Sequence, residues 1–300
     1  MVGLQTRKNR NKKRKMLPLS PTQLPGPSQC RPRMGEVRPD YGCLPPVELN
    51  KLAVKVFGSP RGGNTRKSLR KLREDLAAKI GADPDKETEF LEKLPIDTSE
   101  KSRLQTTYLR PKMPDAWEED PDMWLDSLNI KGVMEQYQQD RNDFEFLGPF
   151  PIDFAAPDPY SQDKDKCLIG EMCSLNLADM RSKGKTKIGI IYNLDPHYKS
   201  GSHWVANFID LVKNHCYYFD SYGMKAPGQI YKFMQSLTVQ DPKIKLAYNA
   251  RRHQYKGSEC GMYSMYFIIC MLKNEPFRKF CHRAPRDNVM LTLRNWLFAQ

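Results

Sequence analysis

The sequence predicts an α+β fold in which one buried helix packs against an antiparallel sheet. Three observations lead there. From Cys260 to Leu272 the chain is an unbroken apolar and aromatic run of helix length, and such a run reads as an element buried on all sides. Residues 187–193, 204–210 and 216–220 are short segments rich in β-branched and aromatic residues, parted by turn residues, and read as successive strands. Helical spacing of apolar residues recurs elsewhere, so helices and strands are mixed along one chain.

In chain order, residues 1–45 read as a disordered tail. Arg7, Lys8, Arg10, Lys12, Lys13, Arg14 and Lys15 form a dense basic run, and the prolines that follow leave few large apolar residues to offset the entropy of ordering. Residues 46–95 read as a small helical module. Val47, Leu49, Leu52, Ala53 and Val56 share a helical face before Gly58. A second helix, capped by Asn64 or Thr65, places Leu69, Leu72, Leu76 and Ile80 together and stops at Gly81. Asp83 caps a short third helix from Pro84 to Leu94. Residues 96–116 read as a polar, proline-punctuated linker, and residues 117–300 as the main domain. There, residues 129–137 predict a helix. Residues 144–154 hold too many prolines for either regular element and read as a packed extended segment. Residues 228–237 predict a helix, 245–250 a short strand, and 286–298 the last helix.

The net charge is +13, and it is unevenly spread. Lys and Arg exceed Asp and Glu by 24 to 12 up to Arg110, and by only 24 to 23 thereafter. A basic N-terminal third points to an acidic partner such as nucleic acid, against the plainer reading of a solubilising tail. No apolar run reaches bilayer-spanning length, and no secretory signal follows Met1. The 8 cysteines lack paired metal-ligand spacing, and several, such as Cys216 and Cys270, fall inside apolar runs, a pattern of reduced thiols rather than a disulfide framework. His197, His215, His253 and His282 have no companions at ligand spacing, so neither a metal site nor a cofactor is expected.

The chemistry concentrates where a polar loop enters the buried helix. Cys260 stands at that entry, where free amide hydrogens and the positive end of the helix dipole favour a thiolate, the attacking form of cysteine. His203 begins one strand and Asp220 finishes the next, so an antiparallel pairing brings the two side by side. Asp220 can then orient the imidazole while its other nitrogen takes the thiol proton. Gln254, six residues before Cys260, can offer an amide N–H to an oxyanion, together with the backbone N–H of Cys260. Each of these residues alone is more often a plain surface or core group; the ordered set His, Asp, Gln, Cys is the signal.

His203-Trp204, Asp220, Gln254 and Glu259-Cys260-Gly261 resemble the active-site set of the clan of SUMO proteases and adenovirus maturation proteases. Trp124-Leu125-Asp126, followed by Ile130, resembles the motif that opens that clan's catalytic domain. His-Trp-Val-Ala, Tyr-Phe-Asp-Ser and Arg-His-Gln before Glu-Cys-Gly are closer still to the African swine fever virus type of polyprotein-processing protease. The resemblance covers roughly residues 115–300. It implies a papain-like, adenain-like cysteine protease fold and a thiol endopeptidase, with Cys260 as nucleophile, His203 as base and acid, Asp220 as orienter and Gln254 in the oxyanion hole. It further implies that Trp124 and Trp204 close over substrate, that cleavage follows Gly-Gly-Xaa segments of viral structural precursors, and that the enzyme works in the virion and the host cytoplasm, at the viral factory. A deSUMOylase or deubiquitinase acting on host conjugates is the nearer rival. A non-catalytic nucleic-acid- or capsid-binding protein on the same fold is the more distant one.

Overall fold

The computed structural model describes residues 30–32, 39–61, 63–163, 165–283 and 285–299. The basic run from Arg7 to Lys15 and most of the expected tail lie outside the described residues.

Four helices build an N-terminal arm: α1 (Pro46–Phe57), α2 (Arg66–Ile80), α3 (Glu87–Lys93) and α4 (Thr98–Tyr108). α1 ends where Gly58 turns left-handed, at φ 74°. The Thr65 side chain caps α2 by accepting the Ser68 N–H, and Gly81 ends it. Leu49, Leu52, Leu69, Leu72, Leu76, Phe90, Leu91 and Leu104 form one core. Tyr41, Cys43, Leu44 and Leu109 join it, so the arm is wider than 46–95 and the expected linker is not a linker. Asp97 caps α4 by accepting from the Glu100 N–H. The polar surface of α4 disguises it, since Leu104 is the residue it buries fully. The third helix starts later than expected because Asp83 holds a turn through the Asp85 N–H instead of capping it.

The main domain begins with α5 (Ala116–Glu119) and α6 (Ser127–Asp140). Asp126 and Asn129 exchange bonds in a capping box at the start of α6. Then follow β1 (Phe144–Pro151), α7 (Gly170–Cys173), α8 (Leu177–Ser182), β2 (Lys187–Asn193), β3 (Trp204–Asp210), β4 (His215–Phe219), α9 (Gly228–Gln240) and β5 (Lys245–Tyr248). The chain finishes with α10 (Cys260–Leu272), α11 (Phe277–His282) and α12 (Asp287–Leu297).

The strands form one sheet in the order β1-β2-β3-β4-β5. β2, β3 and β4 are antiparallel neighbours, but β1 pairs parallel to β2 and β5 parallel to β4. The sheet is therefore mixed: long connections through α7–α8 and through α9 return the chain in the same direction. Residues 144–151 are a strand despite their prolines. The ladder with β2 shifts register between Leu147 and Phe150, and the cis Gly148–Pro149 peptide falls in that break, where Pro149 has no ladder bond to donate.

α10 is buried along its whole length on one face of the sheet. Phe267 stacks on Phe219 of β4 at 4.9 Å between centroids. Truncating such a ring to alanine costs about 3–5 kcal/mol. Ile230, Phe233, Met234 and Leu237 of α9 cover the opposite face. The chain end returns to the arm: Ala299 accepts from the Met113 N–H and donates to Pro111 O.

The cysteines depart from the expectation of reduced thiols throughout. Cys30 is bonded to Cys43 and Cys167 to Cys173. A bridge between Cys30 and Leu109 brings the first pair together beside the arm, and residues 167–173 fold back on themselves at α7. Cys216, Cys260, Cys270 and Cys281 are in no disulfide.

Candidate active site

Cys260 is the first residue of α10 and is 1% exposed. Gly261 behind it allows close packing: a Cβ there would lie 3.2 Å from Trp204 Cδ1 and 3.3 Å from Leu125 Cβ. Trp204, at the start of β3, is held by donating its indole N–H to Leu125 O at 2.9 Å. Thus β3, the Trp124-Leu125 segment and the start of α10 lock at one point.

His203 precedes β3 and Asp220 follows β4. Their antiparallel register, with Ala206 opposite Phe219, brings the two together. His203 Nε2 is 2.8 Å from Asp220 Oδ1. Nδ1 is left free of Asp220, and the Cys260 thiol is the other group that acts on this imidazole. Burial works against charge on this imidazole, but the hydrogen bonds and charges of Asp220 and Cys260 outweigh it and raise its pKa from 6.5 to about 9. The histidine therefore holds its proton at neutral pH. An imidazolium beside the sulfur at a helix N-terminus is the setting that stabilises a thiolate. The other thiols do not share it: burial pushes Cys216, Cys270 and Cys281 up, which keeps them protonated.

Further residues fix this arrangement, and no local pattern marks them in the sequence. Asn249, just beyond β5, accepts the Asp220 N–H and donates to Asp220 O, gripping the backbone on both sides. The Tyr222 N–H donates to Asp220 Oδ1, and its ring stacks on His203 at 4.6 Å. Arg252 lies over the neighbouring rings, 5.1 Å from Tyr222 and 5.0 Å from Tyr255. Gly223 permits the turn after Asp220. Its φ is +77°, and a Cβ would come within 2.6 Å of the Arg251 carbonyl carbon.

Gln254 is fully buried at the same place. Its Oε1 accepts from Ser221 Oγ and its Nε2 donates to Lys256 O, both at 2.7 Å. The amide is thus oriented, and it carries a second N–H beyond the one given to Lys256. Immediately before Cys260, Glu259 forms a buried pair with Arg294 of α12, at 2.6 Å. Burial raises the Glu259 pKa, and Arg294 opposes that rise.

The two tryptophans are placed differently. Trp204 is 8% exposed and belongs to the core around α10, whereas Trp124 is 47% exposed. Of the remaining histidines, His197 bonds Asp153 at the surface, while His253 is buried between Phe219, Phe280 and Tyr263. Burial and the charge of Arg251 lower the His253 pKa to about 4, so it stays neutral.

Known proteins match this chain in sequence and in fold. Residues 187–298 match the Ulp1 protease family, C-terminal catalytic domain. A sequence from Acanthamoeba polyphaga mimivirus, named as a thiol protease, is 33% identical over 180 residues, covering 58% of this chain and 56% of its own. The SUMO-1 cysteine protease of African swine fever virus is 34% identical over 118 residues, covering 37% of this chain and 43% of its own. The chain thus matches about half the length of these curated relatives. A crystal structure of the African swine fever virus protease shares the fold, with a TM-score of 0.63 at 19% identity over 93% of this chain and 98% of that one. Over residues 187–298 the chain is similar in sequence to the C-terminal catalytic domain of the Ulp1 protease family, and the matched stretch includes His203, Asp220, Gln254 and Cys260.

Proposed function

We propose that this protein is a viral thiol endopeptidase that cleaves structural polyprotein or core precursors after Gly-Gly-Xaa-type sites during virion maturation, in the virion and at the host viral factory. The observation that carries the reading is His203 Nε2 at 2.8 Å from Asp220 Oδ1, with Cys260 at the start of the buried α10 as the other group acting on the same imidazole. The thiolate attacks the scissile carbonyl carbon and the carbonyl π electrons move to oxygen. That oxygen takes hydrogen bonds from the spare N–H of Gln254 and from the Cys260 backbone. Collapse of the intermediate breaks the C–N bond, and His203 gives its proton to the leaving amine. The thioester is then hydrolysed by a water whose proton returns to His203. Asp220 holds the ring in orientation throughout.

Trp204 packs against Gly261 beside Cys260 and bonds Leu125, the neighbour of the exposed Trp124; in this reading the two indoles confine the substrate, and glycine, without a Cβ, is the residue whose backbone passes closest to an indole face. That supports Gly-Gly before the cut. The rival reading, hydrolysis of SUMO or ubiquitin conjugates, is favoured by the name of the African swine fever virus relative, a SUMO-1 cysteine protease. The separating experiment incubates the purified protein with a structural polyprotein of large DNA viruses and with SUMO conjugates, and maps new N-termini by mass spectrometry. Cuts after Gly-Gly-Xaa in the polyprotein support the proposal. Release of SUMO alone supports the rival. No cleavage of either returns the chain to a binding role.

A further inference from the structure

Asp287, the first residue of α12, lies outside the four-residue set yet is tied to both of its sides. Its Oδ1 accepts from the Tyr263 hydroxyl at 3.0 Å. Its Oδ2 accepts from the backbone N–H groups of Tyr255 and Lys256, each at 3.1 Å. Tyr263 is on α10, three residues after Cys260, and its hydroxyl also reaches His253 O and Pro285 O. A hydroxyl has one hydrogen to give, and among these acceptors the carboxylate is the charged one. Asp287 is 9% exposed, so water competes little for these bonds.

The bonded segment is the one that carries Gln254. Gln254 Nε2 donates to the carbonyl of Lys256, the residue whose N–H Asp287 holds. Ser221 fixes the other end of the amide through Oε1. The amide's direction thus depends on where Lys256 sits, and Asp287 sets that position against α10. His203, Asp220 and Cys260 make no bond to Asp287; the first two are held by the strand register, Asn249 and Tyr222, and Cys260 by its place at the start of the buried α10.

We propose that Asp287 is a positioning residue that clamps the loop 254–256 to the helix of Cys260, and so aims the Gln254 amide at the oxyanion without touching the nucleophile. The assignment rests on the thiol-protease reading for its consequence and on geometry alone for the clamp. A carboxylate suits the task because it accepts from three donors at once. An amide at the same place has one oxygen to offer, so its NH2 group must face either the backbone N–H groups or the Tyr263 hydroxyl, and the grip on one of the two is lost.

The test uses the full chain with Asp287→Asn and Tyr263→Phe. Four quantities are read: kcat and KM on a Gly-Gly-containing peptide, inhibition by a peptide aldehyde, alkylation of Cys260 by iodoacetamide, and hydrogen exchange at residues 254–256. For Asp287→Asn, kcat falls about 10–100-fold with KM little changed, short of the 100–1000-fold typical of deleting an oxyanion donor outright. Aldehyde affinity falls in parallel, because the aldehyde adduct carries the same oxyanion. Alkylation, which needs only the thiolate, stays within about twofold, and the amides of Tyr255 and Lys256 exchange faster. Tyr263→Phe keeps the bonds to the loop and loses less of each. Alkylation falling in step with kcat overturns the proposal, since that marks general damage to α10. Unchanged exchange at Tyr255 and Lys256 overturns it too, and this readout needs no activity. Should the wild type cleave nothing, the protease reading fails while the exchange result still decides the clamp. If Asp287→Asn does not fold, Asp287→Glu and Tyr263→Phe decide by the same four readouts.

Discussion

His203 meets two acidic groups, Asp220 at Nε2 and the Cys260 thiol, and their combined pull outweighs burial. Its folded pKa of about 9 lies above the ordinary 6.5, so the stability it contributes is fully present below pH 6.5 and is lost as pH rises through 9. In the proposed reaction the same proton serves the leaving amine. The pH profile of kcat/KM should therefore show an alkaline limb near pH 9, belonging to the His203–Cys260 pair as a unit. Asp220→Asn keeps an acceptor oxygen but removes the charge. It should retain part of the activity and move the limb toward lower pH, and Asp220→Ala should lose more. A limb that stays put in both variants removes Asp220 from the site. The tryptophans make a second residue-scale test. Trp124 is half-exposed, so Trp124→Ala should leave the melting temperature nearly unchanged and lower the preference for Gly-Gly over Ala-Ala peptides. Trp204 is braced against Gly261 and Leu125, so Trp204→Ala should cost about 3–5 kcal/mol in a urea titration as well as turnover. Wild-type cleavage of both peptides at equal rates would contradict a glycine-selective channel.

At the scale of elements, α10 is anchored at its start by Glu259 and Arg294, both buried. Arg294→Met leaves a carboxylate without its partner and should cost about 3–5 kcal/mol in urea-monitored unfolding. The double variant Glu259→Gln/Arg294→Met should recover part of that loss; no recovery would mean the pair is not coupled. The loop entering α10 brings an acid sensitivity. His253 stays neutral among aromatic rings with its pKa lowered to about 4, so the stability it contributes is present above pH 6.5 and is lost as pH falls toward 4. His253→Phe should flatten the melting temperature between pH 6.5 and 4, and an unchanged slope would assign the acid sensitivity elsewhere. The strands β2 to β4 and helix α10 were legible in the sequence because each is apolar over a length that fits one element. α4 was not, since it shows solvent a polar surface, and β1 was not, since its prolines sit in a register break that only its pairing with β2 reveals. The meeting of His203 with Asp220 was legible because an antiparallel register sets two strand ends side by side, and the position of Cys260 because a polar loop gives way there to an apolar helix. Asn249, Tyr222 and Asp287 were not, because each acts through bonds set by tertiary folding, and an Asn, Tyr or Asp in a loop carries no such mark.

Across the whole molecule, the arm and the main domain meet at residues 109–113 and at Ala299, which joins the arm's core and bonds Pro111 and Met113. The positive charge lies mostly ahead of this junction. Deleting residues 1–29 removes the run from Arg7 to Lys15 and leaves the Cys30–Cys43 bond intact. That deletion should weaken DNA binding and flatten its salt dependence, by roughly 0.9 in slope for each phosphate that the run neutralises, while sparing peptide hydrolysis. Unchanged DNA affinity at low salt would make the run a solubilising tail. The claim on which the rest depends is that Cys260 is a nucleophile activated by His203. It is tested most directly by treating wild type, His203→Ala and Cys260→Ala with a peptide ending in a Gly-Gly vinyl electrophile and reading intact mass and the modified residue. One adduct, on Cys260, is expected in wild type, with labelling slowed at least tenfold in His203→Ala and absent in Cys260→Ala. Labelling at Cys281 instead, or at Cys260 with equal speed in His203→Ala, would contradict it.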